Sequence, residues 1–211
     1  MGQYYFIINV DKKQYLHAHK YDNGLKLMEW SWVGNRLANK MAHLMKKTWK
    51  GDRVYVVGDY ADLEDYKGDS KNWHDTYARL VDEFGIVDGD YENHPDSYSM
   101  FAYAGKNFKH IYQSKQYANA ELDIRYIYNH ATHQVIDLKE CPEDENGWQI
   151  FPLSLLLAMG NGRGGGDYYH THPGYDLVGS WCGTSEYIEV TDEPLDGCND
   201  YERFNPCFME W

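Results

Sequence analysis

The chain has 211 residues and a net charge of −13, from 33 acidic and 20 basic side chains. This length suits one domain or two small ones. No run of about 18 apolar residues is present to span a membrane, and the acidic balance argues against direct nucleic-acid binding, which needs Lys and Arg to neutralise phosphates. Leu, Ile, Val and Phe make up only about a fifth of the chain, but 20 Tyr and 7 Trp compensate. Aromatic rings bury about 150–250 Å² each, so an aromatic-rich core is expected. The opening segment lacks a basic start followed by a long apolar stretch, and no secretory leader is expected. Cys141, Cys182, Cys198 and Cys207 form no CxxC pair. Reduced thiols in a cytoplasm, that of the host if the chain is phage-encoded, are the expectation.

In chain order, QYYFIINV with the return QYL predicts a β-hairpin over 3–16, turning at Asp11, Lys12 and Lys13. Leu37, Met41, Leu44 and Met45 recur at helical spacing over 35–48, with Asn35 able to cap the start. RVYVV at 53–57 reads as a strand closed by Gly58. Trp73, Tyr77, Val81 and Phe84 share one face of a helix over 71–84, begun by Ser70 and ended by Gly85. Residues 86–117 hold few aliphatics and read as a long excursion, with short helical pieces near 105–117. A second hairpin spans 125–138. A helix follows over 152–159, with Pro152 at its first position and Gly160 after its end. EYIEV at 186–190 is a strand.

The two ends of the chain look alike. Ile7, Asn9 and Gln14 match Ile127, Asn129 and Gln134, each set in a hairpin, and Trp49, Gly51 and Tyr55 match Trp181, Gly183 and Tyr187, with Val56 opposite Ile188. The fold expected is therefore α+β: two related hairpin–helix–strand halves packed as one globular unit. The N-terminal half covers 1–85, a Tyr/Asn-rich connection 86–120, and a C-terminal half with an acidic tail 121–211. Residues 1–50 carry a net +6, and the tail from Glu186 to Trp211 carries eight acids and one Arg203.

The strongest local signal is GNGRGGGD at 160–167. Five glycines let several N–H groups converge on one anion, Arg163 adds a forked donor, and Asp167 can accept from a hydroxyl. Asn161, Arg163, Gly164, Gly165, Gly166, Asp167 and Trp181 are the ligand-binding candidates. The alternative is a tight helix-to-strand connector in which the glycines serve the backbone alone. The run is neither a P-loop nor a dinucleotide fingerprint. Asp167, His170 and His172 form D-x-x-H-x-H, a possible divalent-metal set, although Pro173-Gly174 favours a loop. His17 and His19 are a similar pair. A hydrolase would pair Asp59 or Asp167 with one of these histidines.

At MGQYYFIINVDKKQYLHAH, DNGLKLMEW, WKGDRVYVVGDYAD, GNGRGGGDYY and VGSWCGTSEYIEV the chain resembles a family of small bacterial and phage proteins with no established activity. The resemblance covers both ends and misses about 86–120. It implies a shared fold and a phage context, and no catalytic residues. Relatives can carry a GRGGGD loop before the first Trp-x-Gly as well, where this chain has LMKKTWKGDR. Three functions follow as expectations. The first is a non-catalytic phage-type binding protein holding a small anionic or phosphorylated ligand at the glycine-rich loop. The second is an acidic inhibitor that occupies a basic host protein, for counter-defence or as a nucleic-acid mimic. The third is a metal-assisted hydrolase.

Overall fold

The computed structural model describes residues 2–63, 71–112 and 124–209, with Lys71 and Asn72 as backbone only. The first sheet is built on the predicted hairpin, β1 (Tyr5–Asn9) and β2 (Gln14–His17). Lys13 takes a positive φ of 51° to close the turn. β3 (Val54–Gly58) pairs antiparallel with β1 on its other side. All five residues of β1 and of β3 are buried, as in a strand covered on both faces.

Alternation sorts the two faces. Tyr5, Ile7, Leu16, Val54 and Val56 point into the main core, while Phe6, Ile8, Tyr55 and Val57 point into a second cluster with Trp73, Tyr77 and Leu80. Helix α1 (Arg36–Lys46) supplies Leu37, Met41 and Met45 to the main core, and the Asn35 side chain caps it by accepting from the Leu37 N–H. Helix α2 (Lys71–Phe84) covers the second cluster and ends at Gly85, φ +62°. Ser70, its expected cap, lies outside the described residues.

The stretch 86–117 departs from expectation. Its helix, α3 (Met100–Asn107), starts earlier than 105, where the Ser99 hydroxyl accepts from the Ala102 N–H. Phe101 stacks on Phe6 at 3.9 Å. The chain then forms β4 (Lys109–His110), which pairs parallel with β2. Met100 and Ala104 are fully buried, so the segment belongs to the core despite its few aliphatics. Residues 113–117 lie outside the described residues.

The second sheet starts from the second hairpin, β5 (Tyr126–Asn129) and β6 (Gln134–Asp137). The helix expected over 152–159 is shorter, α4 (Pro152–Leu156), because Ala158–Met159 form β7, which pairs parallel with β3 in the first sheet. β8 (Ile188–Thr191) pairs antiparallel with β5, and β9 (Glu202–Arg203) parallel with β6. The sheet orders are β4-β2-β1-β3-β7 and β8-β5-β6-β9. The protein is α+β with an aromatic-rich core: Trp30, Trp49, Trp73 and Trp181 are all buried.

The same pairing order thus recurs at both ends: hairpin, antiparallel third strand, short parallel strand beside the hairpin's second strand. The recurrence extends to contacts. The Trp49 indole N–H donates to the Gln14 side-chain carbonyl at 2.9 Å, and that of Trp181 to Gln134 at 3.2 Å. Two sequence matches fail, Tyr55 with Tyr187 and Val56 with Ile188. Val54 sits opposite Asn9 and Ile188 opposite Asn129, so Ile188 occupies the place of Val54, not of Val56. The 3-10 turn Ser185–Tyr187 takes up the two extra residues.

The ends are also crossed. α1 packs on β8, with Lys46 bridging to Asp192 and Lys50 to Glu189. In return, β7 completes the first sheet. One hydrophobic cluster contains Ile7, Val56, Leu37 and Met41 together with Ile127, Leu155, Ile188 and Val190.

Candidate functional site

The glycine-rich loop forms the expected concavity of backbone N–H groups, and the chain fills it itself. Asp167 Oδ2 accepts from the N–H of Gly162, Arg163 and Gly164, each at 2.9 Å, and Oδ1 accepts from the Tyr5 hydroxyl at 2.9 Å. Asp167 is 1% exposed. Burial pushes its pKa above the usual carboxylate range, and these hydrogen bonds pull the other way. The anion in the nest is therefore a carboxylate five residues downstream of its first donor, and these three donors are not turned toward solvent.

The other loop candidates are similarly engaged. Asn161 clasps Tyr168 through both backbone groups, at 2.9 and 2.8 Å. Arg163 donates to the Tyr60 carbonyl at 2.9 Å, bridges to Asp62 at 3.0 Å, and lies 5.3 Å from the Trp73 ring centroid. Gly165 and Gly166 accept through their carbonyls from the N–H of Gln3 and Met28. Gly164 is needed for close approach: a Cβ there would lie 2.6 Å from the Gln3 backbone nitrogen. Trp181 points elsewhere, to Gln134 and Phe204. The loop is a clasp joining β1, the 60–62 segment and α2, which is the connector alternative.

The proposed metal set does not assemble. With both Asp167 oxygens turned inward, His170 and His172 lie in a turn, their rings against Tyr175 and against Tyr168 and Tyr169. Among the described residues, no group of three His, Cys, Asp or Glu is placed to hold a metal ion. His17 and His19 do meet, with ring centroids 5.3 Å apart and His110 6.3 Å from His17. Burial, followed by the neighbouring His19, His110 and Lys20, holds the His17 pKa below its usual value. The acid–base pairing expected of a hydrolase is not formed among the described residues. Asp59 accepts from the Tyr4 N–H, and burial, with nearby Asp167 adding, raises its pKa.

A concavity lies elsewhere in the fold. A pocket of about 420 Å³ opens between the β1–β2 turn, α1 and β4. Lys12 comes from the turn, Lys40 from α1, Thr48 from beyond that helix, and Lys109, His110 and Tyr112 from β4 and its continuation. No carboxylate is among the described residues that line it. Lys40 is only 8% exposed, and burial lowers its pKa. Lys12 is ion-paired with Asp52, a residue outside the lining, so its charge is shared with that carboxylate. This site was hidden in the sequence because its cations are about 30 and 70 residues apart. The one signal was the net +6 of residues 1–50.

No family model, no curated protein and no solved structure matches the chain.

Proposed function

We propose that the chain is a binding protein for a small anionic, phosphorylated ligand, held in the lysine-lined pocket and not at the glycine-rich loop. One observation carries this reading. In a chain of net charge −13, three lysines and a histidine from three separate segments converge on one concavity with no lining carboxylate. A cleft lined by one sign of charge concentrates ions of the opposite sign, and lysine binds phosphate as a point charge. The volume falls in the range of about 300–1,000 Å³ usual for small-ligand sites.

The test is calorimetric titration with pyrophosphate of the wild-type protein and of Lys40→Met, Lys109→Ala and Arg163→Ala. Each lysine variant is expected to bind at least about tenfold more weakly, since a lost charge-assisted contact contributes about 1.5–3 kcal/mol. Arg163→Ala, remote from the pocket, is expected to bind as the wild type does. Loss of binding in Arg163→Ala alone would return the site to the loop.

A second reading, docking to a basic protein, is favoured by Trp148. Its indole is 58% exposed, stands edge-on to Trp32 at 5.4 Å, and follows Glu143, Asp144 and Glu145. Asp144 braces that loop by accepting from the N–H groups of Asn146 and Trp148. Such binding weakens with salt and is lost in Trp148→Ala.

A further inference from the structure

We infer that the lysine pocket takes a free nucleotide, a planar ring carrying a phosphate. This rests on the anion reading above and adds the other half of the ligand. Tyr112 lines the pocket and is 52% exposed, one of the few large rings left to solvent. An aromatic face beside cations is how nucleotide bases are held without sequence-specific contacts.

The ring is placed, not loose. The Ile111 N–H donates to the Tyr15 carbonyl at 3.0 Å and the Lys109 N–H to the Lys13 carbonyl at 2.8 Å, so the backbone leading to Tyr112 is pinned to β2. The ring itself meets the buried Tyr21 edge-on, with centroids 6.4 Å apart. Lys12 and Lys40 enter the pocket from other segments, the β1–β2 turn and α1. Charge for the phosphate and a stacking surface for the ring thus belong to one cavity. Thr48 adds a hydroxyl to its lining. A pocket of about 420 Å³ is also larger than an inorganic oxyanion requires. The −13 charge of the chain repels a polynucleotide, whose many phosphates meet the acidic surface, far more than a mononucleotide.

The experiment titrates the full chain with AMP, ribose 5-phosphate, inorganic phosphate and a ten-nucleotide single strand. AMP is expected to bind at least about tenfold more tightly than ribose 5-phosphate, the lower part of the range for one base on one aromatic ring. Tyr112→Ala removes that preference while leaving ribose 5-phosphate affinity within about twofold of wild type, and Tyr112→Phe keeps it. Equal affinity for AMP and ribose 5-phosphate, or a preference that survives Tyr112→Ala, overturns the inference. Tighter binding of the single strand than of AMP overturns the assignment to free nucleotides. Failure of the underlying anion reading looks different: none of the four ligands binds, or Lys40→Met binds them all unchanged.

Discussion

Removing the Asp167 carboxylate tests whether the glycine-rich loop is a clasp. Asp167→Ala takes one acceptor from the N–H groups of Gly162, Arg163 and Gly164 and from the Tyr5 hydroxyl. Burial already raises the carboxyl pKa, so desolvation cancels the extra strength of a charged acceptor, and each bond is taken at about 1 kcal/mol. Four such bonds give a loss of about 4 kcal/mol, or about 8–16 °C in Tm for a chain of this size. A raised pKa in the folded state also sets the sign with pH. The contribution of Asp167 is largest below the usual carboxylate value and declines as pH rises through the shifted one, so the gap between the proteins narrows from acid toward neutral pH. The assay is urea and thermal unfolding at pH 4 and pH 7. The vacated nest should accept formate, so added formate raises the Tm of the variant and not of the wild type. A variant within about 1 kcal/mol of wild type, or equal formate effects on both, would refute the clasp.

Three further outcomes are expected. Asp137 is held below the usual carboxylate range by hydrogen bonds from Arg125, helped by the Lys139 N–H and Arg203. Its contribution is present above the ordinary value and fades as pH falls through the lowered one. Asp137→Asn is therefore less stable than wild type at pH 7 but approaches it as the pH is lowered in urea titrations; a gap that widens with acid contradicts this. Gln14→Leu and Gln134→Leu each strip the acceptor from a buried indole N–H, which costs about 1–3 kcal/mol by chemical denaturation; a neutral result for either removes the indole–amide bond as a stabilising contact. Finally, a thiol reagent on the native protein modifies exposed Cys207 first, while buried Cys141, pushed up to about 12, and Cys182, also raised by burial, react only on unfolding. Rapid labelling of Cys182 contradicts the packing around it.

Both hairpins, the Asn35-capped helix and the helix ended by Gly85 were legible because each is written in local spacing and turn chemistry. Gln14 with Gln134 and Trp49 with Trp181 were also visible, but as separate matches. That each Gln accepts from its Trp is a contact across 35 and 47 residues, which periodicity cannot register. The contacts of the loop were illegible for a related reason. Glycine density announces a nest but not its occupant, and here the occupant is the next residue after the run, Asp167. The sequence did offer both the outward-facing reading and the connector, and the hydrogen bonds of Gly162, Arg163 and Gly164 to Asp167 are contacts of the connector kind. β4 was missed because a two-residue edge strand carries no pattern of its own, and with it went one wall of the lysine pocket.

The crossing of α1 and β7 bears on how the chain can be divided. A fragment ending at 112 lacks the strand that flanks β3, and one starting at 124 lacks the helix that covers β8. Each would expose the apolar surface that the other hides, so neither is expected to be soluble alone. Produced together, they should find each other and assemble without a covalent link between them, as a split protein whose recombination reports on contact between whatever is fused to its two pieces.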